Sequence, residues 1–254
     1  MRLMTHFALA AAAVCACVAP AAAQTFGGAS SSDLLGYRSS SGHYYRRSLG
    51  SKVRSNAARR GGRQQRTTGG KSGPLTSPAR PTPAPRPAPG ETTFRPVAPM
   101  LVPQMLAARA PAERKEAEKF FAGLLDGYRE VLRRKGLPQY DVARAASFAV
   151  TVSHDVLQGG GRDLSEGQRE GLREQMREVF AEDADFQRLS DREKQELYEG
   201  YAIIGMYLSA VGATRGETQE WLAQMRRLAR TQLEETFGVP AERLAFTADG
   251  VKYK

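Results

Sequence analysis

Residues 190–211 read Ser-Asp-Arg-Glu-Lys-Gln-Glu-Leu-Tyr-Glu-Gly-Tyr-Ala-Ile-Ile-Gly-Met-Tyr-Leu-Ser-Ala-Val, and this stretch decides the fold. It opens with Ser190 and Glu193 at capping-box spacing, which predicts the start of a helix. From Tyr201 to Val211 the stretch is apolar nearly all round, so a helix here has no polar face to turn towards solvent. It is also too short to cross a membrane. We therefore predict that it forms the central helix of a bundle.

Four further helices are predicted from apolar periodicity and from start and stop signals. The first begins after Pro111 and ends before Gly136. Asp141 caps the second, and Ser165 with Gln168 forms a capping box at the start of the third. The predicted ranges are 112–135, 142–157, a helix from 166 onwards, and 217–237. The fold class is therefore predicted to be all-α, a bundle of about five helices.

The end of the chain departs from the helical pattern. Residues 244–246 alternate in polarity, Asp249 and Gly250 form a turn signal, and residues 251–253 alternate again. A short C-terminal hairpin or extended segment is predicted there.

Gly205 lies among the apolar turns of the predicted central helix. Glycine inside a helix costs about 1 kcal/mol relative to alanine, so its presence there needs a reason. We predict that a neighbouring helix approaches closely at this position.

The chain begins with the pattern of a secretory signal peptide. Arg2 supplies a short basic segment, residues 7–18 form an apolar run, and Ala21 and Ala23 are small residues suited to a cleavage site. Residues 1–23 are therefore predicted to be removed, which leaves a periplasmic or secreted protein. No later apolar stretch approaches the roughly 20 residues of a transmembrane helix, so none is predicted in the mature chain.

An alternative interpretation of the leader makes the protein a lipoprotein. Val14-Cys15-Ala16-Cys17 approaches a lipobox in which Cys17 carries the lipid, although a cysteine at position 15 is unusual in that pattern. Both cysteines lie inside the leader, so ordinary cleavage leaves a mature chain without a thiol. Disulfides, thiolate catalysis and cysteine-ligated metals are then excluded.

Charge divides the rest of the chain into a basic part and a mildly acidic part. Residues 24–110 carry 14 Lys and Arg against two acids, a net +12, whereas residues 111–254 carry 22 against 25, a net −3. Residues 24–73 have too few aliphatic side chains to form a core, which predicts a disordered arm. Prolines recur over 74–110 and predict a semi-rigid polyproline II linker. The helical domain is then assigned to 111–254.

Seven arginines of the arm are the candidate binding residues. Arg-Gly-Gly and Tyr-Tyr-Arg-Arg segments are similar to those that bind nucleic acids, but export argues against such a partner. One interpretation of this segment is a solvated tail without a specific partner; anionic envelope polymers or lipid head groups are the partners expected if it binds outside the cell. The seven residues are Arg46, Arg47, Arg54, Arg59, Arg60, Arg63 and Arg66.

No residue constellation specifies a reaction, a cofactor or a metal. Outside the leader there are two histidines, His43 in the arm and His154 near a helix end, and His154 is interpreted as a packed or capping residue. Nitrogen and thiolate ligands are too few for a zinc-type metal site. Acids recur every four residues over 166–182 with arginines three places on, which predicts a solvated face of ion pairs. The alternative is an acidic ridge that docks the basic arm or a basic partner.

Several motifs of the domain resemble those of a known family. They are Leu137-Pro138, segments between Leu164 and Met206, and the stretch from Phe237 to Gly250 that begins Phe-Gly-Val-Pro. Residues 110–254 thereby resemble an uncharacterised bacterial family of exported helical domains, a domain of unknown function. The resemblance implies export and an all-helical fold. It implies no functional residue, because the family has no assigned activity.

Together these patterns favour an exported, non-enzymatic protein that binds or scaffolds other molecules. A carboxylate-dependent hydrolase is the alternative, in which Asp126, Glu199 or Glu217 activates water if these acids converge in a cleft. A third alternative is an envelope structural protein attached through the arm.

Overall fold

The structure is a computed structural model that describes residues 92–108, 111–160, 164–211 and 218–254. Several predictions concern residues outside these ranges. They are the leader with cleavage after Ala23, the lipid site at Cys17, the arm 24–73 and the first part of the Pro-rich linker.

Seven helices and one two-stranded sheet follow one another along the described residues. They are α1 (Val102–Ala107), α2 (Arg114–Arg134), α3 (Val142–Leu157), α4 (Glu166–Glu182), α5 (Ala184–Gln187), α6 (Asp191–Val211), α7 (Gln219–Phe237), β1 (Leu244–Thr247) and β2 (Gly250–Tyr253). The predicted all-α fold with a short extended C-terminus is confirmed. The five predicted helices correspond to α2, α3, α4, α6 and α7, whereas α1 and α5 were not predicted.

The predicted start signals satisfy backbone groups that have no partner within a helix. The Asp141 carboxylate accepts hydrogen bonds from two N–H groups in the first turn of α3. Ser165 and Gln168 form the complete capping box at the start of α4. Ser190 and Glu193 bond reciprocally at the start of α6, with the Glu193 carboxylate 2.8 Å from the Ser190 nitrogen. These helix boundaries therefore follow from local side-chain chemistry.

Helices α6 and α3 occupy the centre of the fold. Helix α6 packs against α1, α2, α3 and α7, and every residue from Gln195 to Met206 is buried. Helix α3 packs against α4, α6 and α7 and is rich in buried alanine. A methyl group on Gly205 would lie 2.6 Å from the Phe148 ring and 3.3 Å from the Ala149 Cα atom. The predicted close approach of helices at Gly205 is thus confirmed, and the neighbour is α3.

The folded domain begins earlier than the sequence predicts. Residues 92–108, here called the strap, were assigned to the linker, yet Phe94, Val102 and Leu106 are buried in the core shared with the helices. Thr93 also forms an antiparallel bridge with Asp141. The prediction that the domain starts at residue 111 is therefore wrong. Local patterns do not predict this boundary because the backbone groups of the strap bond to side chains that lie far away in the sequence.

The C-terminal hairpin matches the prediction. Strands β1 and β2 are antiparallel, with Leu244 opposite Tyr253 and Thr247 opposite Gly250. Gly250 has a φ of 103°, a backbone conformation that residues with a Cβ rarely adopt, so glycine is required at the end of this turn. The hairpin packs on α4.

Among the helices of the described ranges, none combines the length and the apolarity needed to span a membrane.

Candidate functional site

The strap is attached to the bundle by side chains that bond to its backbone. Gln195 of α6 accepts a hydrogen bond from the Val97 N–H at 2.8 Å and donates to the Ala98 carbonyl at 2.7 Å. Gln195 is fully buried, and both ends of its amide are occupied. The glutamine therefore bonds to the extended strap much as a neighbouring strand would.

Glu199 lies one turn further along α6 and caps α1. One carboxylate oxygen accepts the N–H groups of Leu101 and Val102, each at 2.8 Å, and these are among the N–H groups that a helix start leaves unpaired. The other oxygen lies 2.8 Å from the Gln195 amide nitrogen and 3.4 Å from the Arg129 guanidinium. The Glu199 side chain is 0% exposed, so its charge depends entirely on these partners.

Arg129 of α2 connects this buried network to the surface. It donates to the Pro99 carbonyl at 3.0 Å, and it lies 3.9 Å from the exposed carboxylate of Asp126. Two of the three acids of the hydrolase alternative, Asp126 and Glu199, thus meet at one guanidinium. The third, Glu217, lies outside the described residues.

An open groove of about 530 Å³ lies directly outside this network. Strap residues form its apolar part, including Val97, whose surface is 54% exposed. Asp126 and Arg129 supply its charged groups. Glu199 is fully buried behind Arg129, so the one carboxylate that the groove lining presents is that of Asp126. The groove is lined by Pro96, Val97, Ala98, Pro99, Met100, Asp126, Arg129 and Tyr140.

Aromatic side chains pack beneath the strap. The ring of Tyr198 lies 5.3 Å from that of Phe94, 5.9 Å from that of Tyr128 and 6.3 Å from that of Tyr140, measured between centroids. Burial raises the pKa of Tyr198 well above its ordinary value, although the Arg129 charge acts in the opposite direction. Burial likewise raises the pKa of Tyr128. Both phenols therefore stay neutral at physiological pH and serve as packing groups.

The geometry is better suited to holding a chain segment than to acid–base chemistry. A general base needs a free oxygen within hydrogen-bond reach of the proton it removes. Both oxygens of Glu199 already accept protein donors, and Asp126 is 63% exposed. Within the described ranges, no group of three His, Cys, Asp or Glu side chains is arranged to hold a metal ion.

The other candidate residues from the sequence analysis lie away from the groove or outside the described residues. The ring of His154 packs 4.4 Å from that of Phe246, which confirms the prediction of a packed histidine. Its Nδ1 atom also lies 3.5 Å from an Asp155 carboxylate oxygen, a contact that was not predicted. Ion pairs link Glu170 to Arg173 and Glu174 to Arg177 on α4, as predicted. The seven candidate arginines, from Arg46 to Arg66, lie outside the described residues.

Sequence patterns missed the network of Gln195, Glu199 and Arg129 as a unit. The sequence identifies Glu199 as a candidate acid, but no local pattern predicts that it caps a distant helix. A signal was present, because Gln195 and Glu199 lie one turn apart on a helix predicted to be central. Polar residues with that spacing on a buried helix face indicate a shared buried partner.

Fold and site together define an all-α domain whose extended N-terminal strap is held by buried polar side chains. The chain belongs to a family of unknown function, DUF6683, whose profile matches residues 3–254. The match confirms the resemblance to a domain of unknown function and extends it to residues 3–109. Comparison with curated proteins gives no match. Comparison with solved structures gives none either.

Proposed function

We propose that the protein is an exported, non-enzymatic binding or scaffolding protein whose helical domain carries a basic arm. The observation that supports this most directly is the state of Glu199. Its carboxylate is fully buried and is used to fasten the strap, with Gln195, Arg129 and two backbone N–H groups as partners. An acid engaged in this way stabilises a structure and is not poised to activate water.

The hydrolase alternative has proximity in its favour but not the chemistry. Asp126 and Glu199 share Arg129 beside an open groove, which is where a catalytic acid pair is expected. One of the two has no free oxygen and the other is largely exposed to solvent. The binding proposal therefore agrees better with the contacts of both acids.

The arm is the proposed contact with anionic envelope polymers or lipid head groups. The arm, residues 24–73, carries ten Lys and Arg against one acid, a net +9, whereas the domain 92–254 carries 24 against 25, a net −1, so the attraction to polyanions comes from the arm. Seven of its arginines, from Arg46 to Arg66, lie within 21 residues of sequence. Nucleic acid is not the proposed partner, because the leader directs the chain out of the cytoplasm.

A salt titration tests the role of the arm. A peptide of residues 36–73, a scrambled version of it and the domain 92–254 are titrated against an anionic polymer and against anionic vesicles. The peptide and its scramble should bind equally, with affinity falling by about 10³-fold or more between about 50 and 200 mM salt if at least six charges engage. The domain alone should bind weakly. Failure of the scramble, or affinity that ignores salt, would contradict binding by charge.

Export is tested separately by the mass of the mature N-terminus. Cleavage after Ala23 gives a chain that begins at Gln24, whereas the lipoprotein alternative gives a lipidated Cys17. Recovery of an uncut chain from the cytoplasm would contradict export.

A further inference from the structure

The groove offers three properties to a ligand: an extended apolar wall, a half-buried aromatic ring and the exposed carboxylate of Asp126. Pro96, Val97, Pro99 and Met100 form the wall, and Tyr140 supplies the ring. Such surfaces bind polyproline II segments, whose rings present flat apolar faces and whose backbone loses little entropy on binding. The groove chemistry therefore fits a proline-rich ligand that carries positive charge.

The chain contains a segment of this kind. Residues 78–89 read Pro-Ala-Arg-Pro-Thr-Pro-Ala-Pro-Arg-Pro-Ala-Pro, with two arginines and no acid. Asp126 is 63% exposed at the groove, and its distance of 3.9 Å from Arg129 is at the outer limit of an ion pair. Arg129 is itself engaged by Glu199 and by the Pro99 carbonyl. Asp126 can therefore accept Arg80 or Arg86 without loss of a strong partner.

The position of the segment along the chain brings it to the groove. The strap enters the domain at Thr92, whose hydroxyl donates to Asp141 at 2.9 Å, and the next bond joins the Phe94 N–H to the Tyr140 carbonyl at 3.2 Å. The entry point thus lies beside a residue that lines the groove. Pro89-Gly90 precedes it, a dipeptide that favours a reversal of the chain. With so short a connection, the effective concentration of the segment at the groove is on the order of millimolar.

We infer that residues 78–89 dock in the groove of their own domain, with an arginine paired to Asp126 and proline rings against Tyr140 and the strap. This docking goes beyond the proposed polyanion binding, because it concerns residues 78–89 and not the arginines of residues 46–66. It fixes the point at which the arm leaves the domain.

The test uses the mature chain, residues 24–254, which contains no cysteine. A spin label attached through Ala84→Cys should broaden the amide signals of Val97, Met100 and Tyr140 in an isotope-labelled sample. The matched control carries the same label and replaces Pro81, Pro83, Pro85 and Pro87 by Ser, which keeps the length and charge of the connection and should weaken the broadening. Equal broadening in the two samples, or broadening by the label on another face of the domain, would overturn the inference.

Charge and connectivity are tested with the same label. Asp126→Asn should weaken docking by about 1.5- to 5-fold, as expected for a partly exposed ion pair, whereas Asp185→Asn on α5 should leave it unchanged. Equal effects of the two variants would contradict the assigned ion pair. A mixture of spin-labelled, isotope-free chains with isotope-labelled, spin-free chains reports docking between copies. Broadening in that mixture would show that a second copy supplies the segment, contrary to docking within one chain.

Discussion

The strap and the C-terminal hairpin lie before and after the helical bundle in sequence. Both are attached to it by side chains that bond to their backbone, but the charge of those side chains differs. In both, a fully buried glutamine bonds to an extended backbone. Gln195 serves the strap, and Gln175 of α4 serves the hairpin by accepting the Val251 N–H at 2.7 Å and donating to the Val251 carbonyl at 3.0 Å. What surrounds each glutamine differs, and that difference sets how strongly each segment is held.

The hairpin is held by neutral groups and by close contact. Gln168, two turns before Gln175 on α4, donates to the Phe246 carbonyl on the opposite strand at 2.7 Å. Between them lies Gly171, where a methyl group would be 2.0 Å from the Ala248 carbonyl oxygen. The two glutamines therefore bond to opposite edges of a hairpin that lies across the helix, and the glycine lets it lie flat.

The strap is held by charge and by apolar burial. Glu199 and Arg129 add a buried ion pair to the glutamine, and the strap contributes several core side chains. Loss of one partner from a buried ion pair costs more than loss of a neutral hydrogen bond. The strap should therefore be the more costly of the two segments to detach, and the following predictions test this order from the largest effect to the smallest.

Removal of the strap should have the largest effect. The fragment 111–254 loses Phe94, Leu101, Val102 and Leu106 from the core, each worth about 1.5–3 kcal/mol when fully buried, and it leaves Glu199 without most of its partners. That sum rivals the whole stability of a typical domain. The fragment should not unfold cooperatively on heating, when monitored by circular dichroism.

The matched fragment 92–254 keeps the strap and should melt within a few degrees of the mature chain. If the shorter fragment 111–254 melted at the same temperature as the longer one, the strap would not stabilise the core, and the prediction that it is the more costly segment to detach would be wrong.

The strap is a part of the described domain that sequence patterns do not predict, whereas the hairpin and the five longer helices are predictable. The hairpin is predictable because its signals are local: alternation, then Asp249-Gly250. The helices are predictable for the same reason, from Ser165 or Ser190 and their partners three residues on. The strap has proline, short apolar runs and a helix of only six residues, which resemble a linker. Its partners lie about 97 residues away in sequence, so no local pattern contains them.

Glu199→Gln should have the next largest effect. The new amide keeps one oxygen for the Leu101 and Val102 N–H groups but places a donor towards Gln195 and Arg129, which are donors too. We expect a loss of about 3–5 kcal/mol in the free energy of unfolding, measured with urea. Hydrogen exchange should show faster opening at Val102 while Val251 in the hairpin stays protected.

Glu130→Gln is the control for that substitution. Glu130 lies on α2, is paired with Arg134 at 2.8 Å and has a side chain that is partly exposed to solvent, so its substitution should cost much less than that of Glu199. Similar losses for the two variants would show that the buried charge at Glu199 does not distinguish the strap.

Gly171→Ala should be intermediate and should affect the hairpin. The added methyl group cannot fit 2.0 Å from the Ala248 carbonyl oxygen, so the hairpin must move away from Gln175. Overpacking of this kind costs about 1–3 kcal/mol. Gly167→Ala is a matched control on the same helix, where the nearest atom is 4.0 Å away, and it should be neutral or stabilise by up to about 1 kcal/mol. Equal effects of the two substitutions would contradict close packing at Gly171.

Tyr128→Phe should have the smallest effect. It tests whether the buried Tyr128 hydroxyl beneath the strap has a hydrogen-bond partner. The Tyr128 hydroxyl is buried without a hydrogen-bond partner among the described residues. Removal of an unsatisfied buried hydroxyl should leave the free energy of unfolding within about 0.5 kcal/mol or raise it, whereas a loss of about 1–2 kcal/mol would reveal a bridging water.

Alkaline titration gives a second readout of the Tyr128→Phe substitution. Because burial raises the pKa of Tyr128, the unfolded chain loses this proton first, near pH 10, and the native state loses stability as the pH rises beyond that value. Tyr128→Phe should therefore lose stability less steeply than the parent above about pH 10, and an unchanged alkaline slope would show that this hydroxyl titrates alike in both states.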